Sequence, residues 1–246
     1  MAKPKQQGDM PPPAPKRPTE GTLGQHAYQC IRSDILKGHL RPGTPLRLQG
    51  LKERYGLSFT PLREALNRLQ GERLVVSVAQ RGFRVRSLSV EEMWDAVDSR
   101  IFIEAEALRR SVRQGGDDWE AQLVASFHAL SLIVRRLETA EADEAAMDAL
   151  ERRHREFHLA LISACGSAWL MDFAAKLNTE TERYRVLALR SATLRRERDV
   201  SAEHKAILDA ALDRDADRAA ALLAAHYRET GHFLEQVLKD AAAVTS

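Results

Sequence analysis

Residues Gly56 to Gln70, GLSFTPLREALNRLQ, leave the chain little choice of local structure. Gly56 suits the left-handed residue that closes a preceding helix. Thr60 is a good N-cap and Pro61 a good first helical residue, because the N–H that proline lacks has no partner there. Leu62, Ala65, Leu66 and Leu69 then recur at i, i+3, i+4 and i+7, which makes one apolar stripe on a short helix. The opposite face carries Arg63, Asn67 and Arg68, with Ser58, Phe59 and Thr60 at its start. A helix buried on one side that presents hydroxyls and arginines beyond a tight turn is built like the groove-reading helix of a helix-turn-helix.

The flanking residues extend this unit. A first helix is expected from about Leu23 to Lys37, with Ala27, Cys30, Ile31 and Ile35 inward and Gly38 at its end. Leu48, Leu51 and Tyr55 mark a short second helix. Leu74–Val78 and Phe83–Val85 read as a two-stranded hairpin, a wing with Ala79-Gln80-Arg81-Gly82 at its tip. Ser87-Leu88-Ser89 is a hinge, and Ser89 with Glu92 forms a capping-box pattern for the next helix. From Val90 the pattern is helical, over 90–114, 118–138, 141–165, 168–190, 200–213 and 215–239, with breaks at Gly115-Gly116 and Cys165-Gly166-Ser167. The expected fold is mainly α. A winged helix-turn-helix domain occupies 21–87, and an antiparallel all-helical bundle occupies 88–240. Residues 1–20 are rich in proline and poor in large apolar groups, so a disordered tail is expected there.

Charge divides the same way. Residues 1–86 hold 16 Lys and Arg against 6 Asp and Glu; the rest holds 21 against 29. A basic head on an acidic body fits a nucleic-acid partner for the head alone. No apolar run reaches the roughly 18 residues of a transmembrane helix, and the N-terminus has no secretory apolar region. Cys30 and Cys165 lie in separate helical patterns, as two free thiols of a cytoplasmic protein would.

Within the head, Arg63 sits one turn inside the outward helix, where an arginine reaches guanine; pairing with Asn67 is its alternative. Ser58 and Thr60 are placed to meet a phosphate. Arg81 and Gly82 at the wing tip can approach the minor groove. Arg68 and Arg73 read as surface charges.

In the body, His154 and His158 stand four apart in ERRHREFHLALI, which puts both imidazoles on one helix face. That spacing suits a shared metal ion and equally a surface pair. His204 opens the penultimate helix and His226 lies within the last, so three helices could bring four rings together. The protease pattern H-E-x-x-H is absent; the chain has H-R-E-F-H, and Glu156 points away from the pair. Arg100 precedes Glu104 by four residues, the spacing of a surface ion pair.

Pro42 to Val85 resembles the winged-helix domain of the GntR family of bacterial transcription regulators. The likeness lies in Pro-Gly before the second helix, the T-P-L-R-E-A-L core, and the hairpin ending R-G-F-R-V. The rest resembles the all-helical ligand domain of the FadR subfamily, the FCD type. The resemblance implies DNA contacts at Ser58, Thr60, Arg63, Arg81 and Gly82, with Gln49 and Phe59 at two further contact positions where relatives often carry arginine. Phe59 cannot grip guanine with two hydrogen bonds, so an altered operator is expected. The resemblance also implies a metal site at His158, His204 and His226, with His154 in place of the usual aspartate. Four nitrogen ligands favour zinc, with nickel, cobalt or iron as alternatives. It further implies an effector carboxylate gripped by Arg100, with Tyr184 and Arg185 as further candidates, while His128 and His232 fall outside the pattern. The expected protein is a homodimeric repressor of a palindromic double-stranded operator, released by a small carboxylic acid. A metal-dependent enzyme of small carboxylates fused to a DNA-binding module is the rival, and a purely structural metal a third reading.

Overall fold

The computed structural model describes residues 20–139, 143–189 and 198–245. The expected disordered tail lies outside the described residues except for Glu20, which opens helix α1 (Glu20–Leu36). Strand β1 (Pro45–Leu46), α2 (Leu48–Tyr55), α3 (Phe59–Gly71), β2 (Val75–Val78) and β3 (Gly82–Val85) complete the head. The body is α4 (Val90–Gln114), α5 (Asp117–Thr139), α6 (Glu144–Ile162), α7 (Ala168–Leu189), α8 (Val200–Leu212) and α9 (Ala216–Thr245).

The apolar stripe of α3 forms the middle of the head's core. Leu62, Ala65, Leu66 and Leu69 are all buried and pack with Ala27 and Ile31 of α1 and Leu51 of α2. Complete burial of each leucine side chain stabilises by roughly 1.5–3 kcal/mol. Gly56 closes α2 at φ 67°, and its N–H donates to the Lys52 carbonyl at 2.9 Å. Helix α3 starts earlier than expected. Ser58 is its N-cap residue, without a side-chain cap bond, and Thr60 and Pro61 fall within the first turn. Proline still breaks nothing there, because first-turn N–H groups have no intrahelical acceptor.

The wing is three-stranded, in the antiparallel order β1-β3-β2, where a two-stranded hairpin was expected. Pro45 pairs with Arg84 and Leu46 with Phe83. Two residues are too few to show strand alternation in sequence. The tip turns with Gln80 at φ 59° and Gly82 at φ 83°, left-handed values that glycine adopts without penalty.

Ser89 caps α4 as expected, accepting from the Glu92 N–H at 3.3 Å. Helix α4 packs along α7 and α9, α5 against α6, and α8 against α9. Leu108, Leu123, Phe157, Leu161, Ile207 and Leu223 fill the core between them. Head and body meet through α1 and α7. Arg32 Nη2 pairs with Glu182 at 2.8 Å, Lys37 with Asp148 at 2.9 Å, and Arg183 Nη1 donates to the Ser87 carbonyl at 3.2 Å. No helix among the described residues is long and apolar enough to cross a membrane.

Candidate metal centre and nucleic-acid interface

Burying one stripe of α3 leaves its other face to solvent. Ser58, Phe59, Thr60 and Arg63 are exposed, as are Gln49 on α2 and Arg81 and Gly82 at the wing tip. Phe59 is 46% exposed and lies under Lys52, whose Nζ is 5.3 Å from the ring centroid. Gln49 Nε2 donates to Glu53 Oε1 at 2.8 Å. Beside the wing, Arg47, Arg81 and Arg84 line a basin of about 460 Å³, and Arg84 Nη1 donates to the Gly43 carbonyl at 2.7 Å. Sequence reasoning missed Arg47 and Arg84, because β1, which draws this stretch to the wing, gives no periodic signal. Exposed cations on one face attract a polyanion.

The body has the opposite character. His154 and His158 on α6, His204 on α8 and His226 on α9 offer ring nitrogens that all lie within 4.8 Å of one another. His158 Nε2 is 3.1 Å from His154 Nε2 and 3.2 Å from His204 Nε2. Zinc binds imidazole at about 2.0–2.1 Å, so neighbouring nitrogens on one ion stand about 3 Å apart. The spacing therefore fits a shared ion.

Hydrogen bonding fixes two of the rings. Tyr227 Oη donates to Glu104 and accepts from Arg100 Nη2 at 2.9 Å. Its single proton is thus committed, so His158 Nδ1, 2.9 Å away, must donate to it. His158 Nε2 is left with a bare lone pair facing the other rings. His226 Nδ1 faces Glu203 Oε2 at 2.8 Å, which leaves Nε2 of that ring bare in the same way. Arg198 donates to both oxygens of Glu203, Nε to Oε1 at 2.6 Å and Nη2 to Oε2. A carboxylate behind a histidine is the usual way to orient a metal ligand.

Burial sets the charge state. It holds His154, His158 and His204 well below the ordinary imidazole range, and the neighbouring rings and arginines act in the same direction. His226 is also lowered by burial, against the opposing pull of Glu203. Four neutral imidazoles are the form that binds a cation. Glu203 is held down at about 2, against the effect of its own burial, by hydrogen bonds from His226 and Arg198.

Arg100 is not the surface group that its i, i+4 spacing to Glu104 allowed. It is 3% exposed, and each guanidinium nitrogen has a partner: Nε donates to Glu104 at 2.6 Å, Nη1 to Thr181 at 3.1 Å and Nη2 to Tyr227. Arg185 joins the same group through Thr181 Oγ1 at 2.9 Å. Tyr184 does not. It packs with Met93, Leu234 and Val237, and its hydroxyl accepts from Arg183 at 2.8 Å. One residue along α7 from Arg185, it is turned about 100° away. Glu156 pairs with Arg153 at 2.7 Å on the outer face of α6, so it is no general base for the histidines. His128 and His232 are exposed and outside the group. Tyr227 and Glu203 went unpredicted; each adjoins a chosen histidine in sequence, but their partners lie on other helices.

An exposed winged helix joined to a helical body is the architecture of a DNA-binding regulator. Residues 23–85 match the family described as bacterial regulatory proteins, gntR family, and residues 95–229 match the FCD domain; the chain belongs to this family. It is 42% identical over 205 residues to the HTH-type transcriptional regulator BphR of Paraburkholderia xenovorans (strain LB400), covering 83% of this chain and 82% of that one. It is 38% identical over 201 residues to the HTH-type transcriptional repressor GlaR of Escherichia coli (strain K12), covering 81% and 90%. Among solved structures, E. coli McbR/YncC has the same fold, with TM-score 0.70, 20% identity and coverage of 87% and 97%. The chain is a DNA-binding transcriptional regulator; its family and relatives are regulators, not enzymes. FCD domains often bind a metal ion, and the four histidines form a group that could hold one.

Proposed function

We propose that this chain is a cytoplasmic repressor whose hold on DNA is set by a small organic acid bound in a metal-containing chamber of its helical body. Gln49, Ser58, Phe59, Thr60, Arg63, Arg81 and Gly82 form the operator face, with α3 in the major groove and the wing beside it. The active species is a homodimer on a palindromic site, since two-fold symmetry of protein and operator go together. Relatives named as repressors support repression.

The observation that carries the reading is the convergence of four neutral imidazoles, three buried and that of His154 half-buried, two of them with lone pairs fixed inward by Tyr227 and Glu203. His154, His158, His204 and His226 would hold the ion. Zinc suits four nitrogens, and nickel, cobalt or iron also fit. When bound, the metal supplies a Lewis-acidic position for an effector oxygen. Arg100 and Arg185 supply positive charge beside it; Tyr184 drops out of the effector set because its side chain lies elsewhere. The acid acts by binding one arrangement of head and body better than the other.

Fluorescence anisotropy of a labelled fragment from upstream of the gene tests this, at two salt concentrations, with a panel of small carboxylic acids and with or without chelator. Salt-sensitive binding released by one acid only in the metal-loaded protein is the expected result. Release that ignores the chelator would remove the metal from the mechanism. The same chelation should then only lower the melting temperature, as a purely structural ion requires.

A further inference from the structure

The head is seated on the body by polar contacts that are braced on both sides. Arg32 Nη2 of α1 reaches Glu182 of α7 at 2.8 Å, and its Nε stands 3.9 Å from Glu72, a carboxylate of the head that accepts from Tyr28 Oη at 2.9 Å. Five residues along α1, Lys37 Nζ lies 2.9 Å from Asp148 and 3.3 Å from Glu144, both on α6. Between β3 and α4, the Ser87 carbonyl accepts from Arg183 Nη1 at 3.2 Å, and Arg183 Nη2 is held by Glu180 at 2.6 Å. Glu182 and Arg183 are consecutive on α7, and Thr181 before them ties this turn to the bundle: its Oγ1 accepts from Arg100 at 3.1 Å and from Arg185 at 2.9 Å. Contacts on two helices and on the hinge oppose a rotation of the head that any one of them alone would allow.

Glu182 is 9% exposed. A carboxylate buried that far is tolerated only while paired, and its partner Arg32 belongs to the other domain, so the pair is complete only when the head is seated. With α1 held in this way, the face of α3 that carries Ser58, Thr60 and Arg63 stays exposed. The contacts therefore orient the operator face without covering it. We infer that Arg32, Lys37, Glu182 and Arg183 are positioning residues for DNA binding: they fix the angle of the head on the body. A head already held at its angle gives up less freedom when it meets DNA, and this preorganisation raises affinity. The inference needs neither an ion nor an acid in the body.

The test is a charge swap in the full chain: Glu182→Arg, Arg32→Glu and the two together. DNA affinity is measured on a fragment selected from random DNA by the wild-type chain, in chelated protein. Glu182→Arg adds positive charge, which by itself tightens binding to a polyanion. The inference expects the opposite, a weakening of about threefold or more, because the head is set loose. Arg32→Glu should also weaken binding, and the double variant, with the wild-type net charge, should recover to within about twofold, since the pair is rebuilt in reverse. Release of the hinge is read separately, as the initial rate of tryptic cutting after Arg86, with the product identified by mass spectrometry. That rate should rise severalfold in each single variant and fall again in the double. If Glu182→Arg fails to fold, Asp148→Lys decides: Asp148 is 51% exposed, and its replacement likewise adds positive charge while breaking the contact with Lys37. It too should weaken DNA binding. Equal or tighter binding in Glu182→Arg or Asp148→Lys would overturn the inference, as would a swap that fails to recover affinity. A lowered melting temperature with unchanged DNA affinity and unchanged cutting would reduce the contacts to structural ones and overturn it equally.

Discussion

The head and the body solve opposite problems with polar residues. In the head, the chemistry lies outside the core: Arg63, Ser58, Thr60 and Arg81 are exposed above a stripe of fully buried leucines. In the body the chemistry is the core. Arg100, Glu104, His158, His204 and His226 are each no more than 4% exposed. An exposed group can be altered without disturbing the fold. A buried charged group is tolerated only while its partners remain. The difference implies that substitutions in the head change binding at nearly constant stability, and that substitutions in the body change both.

The sharpest way to break that contrast is Glu104→Ala. It strips Arg100 and Tyr227 of their shared acceptor, and leaving a buried charge unpaired costs roughly 3–5 kcal/mol. Calorimetry should show the body melting far lower. A variant with unchanged melting would mean that the network bears no weight. Acidity should act in the same direction. The four histidines of the group have folded values below the ordinary imidazole value of about 6.5, so the unfolded chain binds more protons between the two. The stability they contribute is present above about pH 6.5 and is lost as pH falls, on the order of 1 kcal/mol per group per pH unit. Chelated protein followed by denaturant melts from pH 7.5 to 5.5 should show this slope.

Smaller effects belong to the head. Arg63→Ala should cost roughly 1–3 kcal/mol of operator affinity while stability moves by no more than about 0.5 kcal/mol. A melting shift as large as that of Glu104→Ala would erase the distinction between the regions. Smallest of all, Phe59→Ala should leave stability within about 0.5 kcal/mol. Its effect, if it touches a base, should be confined to one operator position in a selection from random DNA.

The contrast also explains what could be read from sequence. The head's site follows from local periodicity: the α3 stripe names its own solvent face, and Gly56, Ser89 and the wing turn fall where their chemistry requires. The missing β1 and the displaced N-cap are failures of length, since two residues show no alternation and a first turn accepts either Ser58 or Thr60 as its boundary. The histidine pair at i, i+4 was legible as a shared face, and its convergence with His204 and His226 followed from the family resemblance. The supporting groups were not legible. Tyr227 meets His158 across 69 residues of chain, and Glu203 faces His226 across 23. Helical periodicity says nothing of which stripe meets which. Of residues 178–185, Asn-Thr-Glu-Thr-Glu-Arg-Tyr-Arg, seven are buried and Thr179 is half-buried, although the stretch carries no apolar stripe that would announce it.

The most direct measurement is zinc titration into the chelated full chain and into His158→Ala, with bound metal counted after dialysis and operator affinity measured on the same samples. One zinc per wild-type chain, lost in His158→Ala while acid-free DNA binding persists, is the expected outcome. Equal zinc in both proteins, or none in either, would contradict a metal centre built on these four histidines.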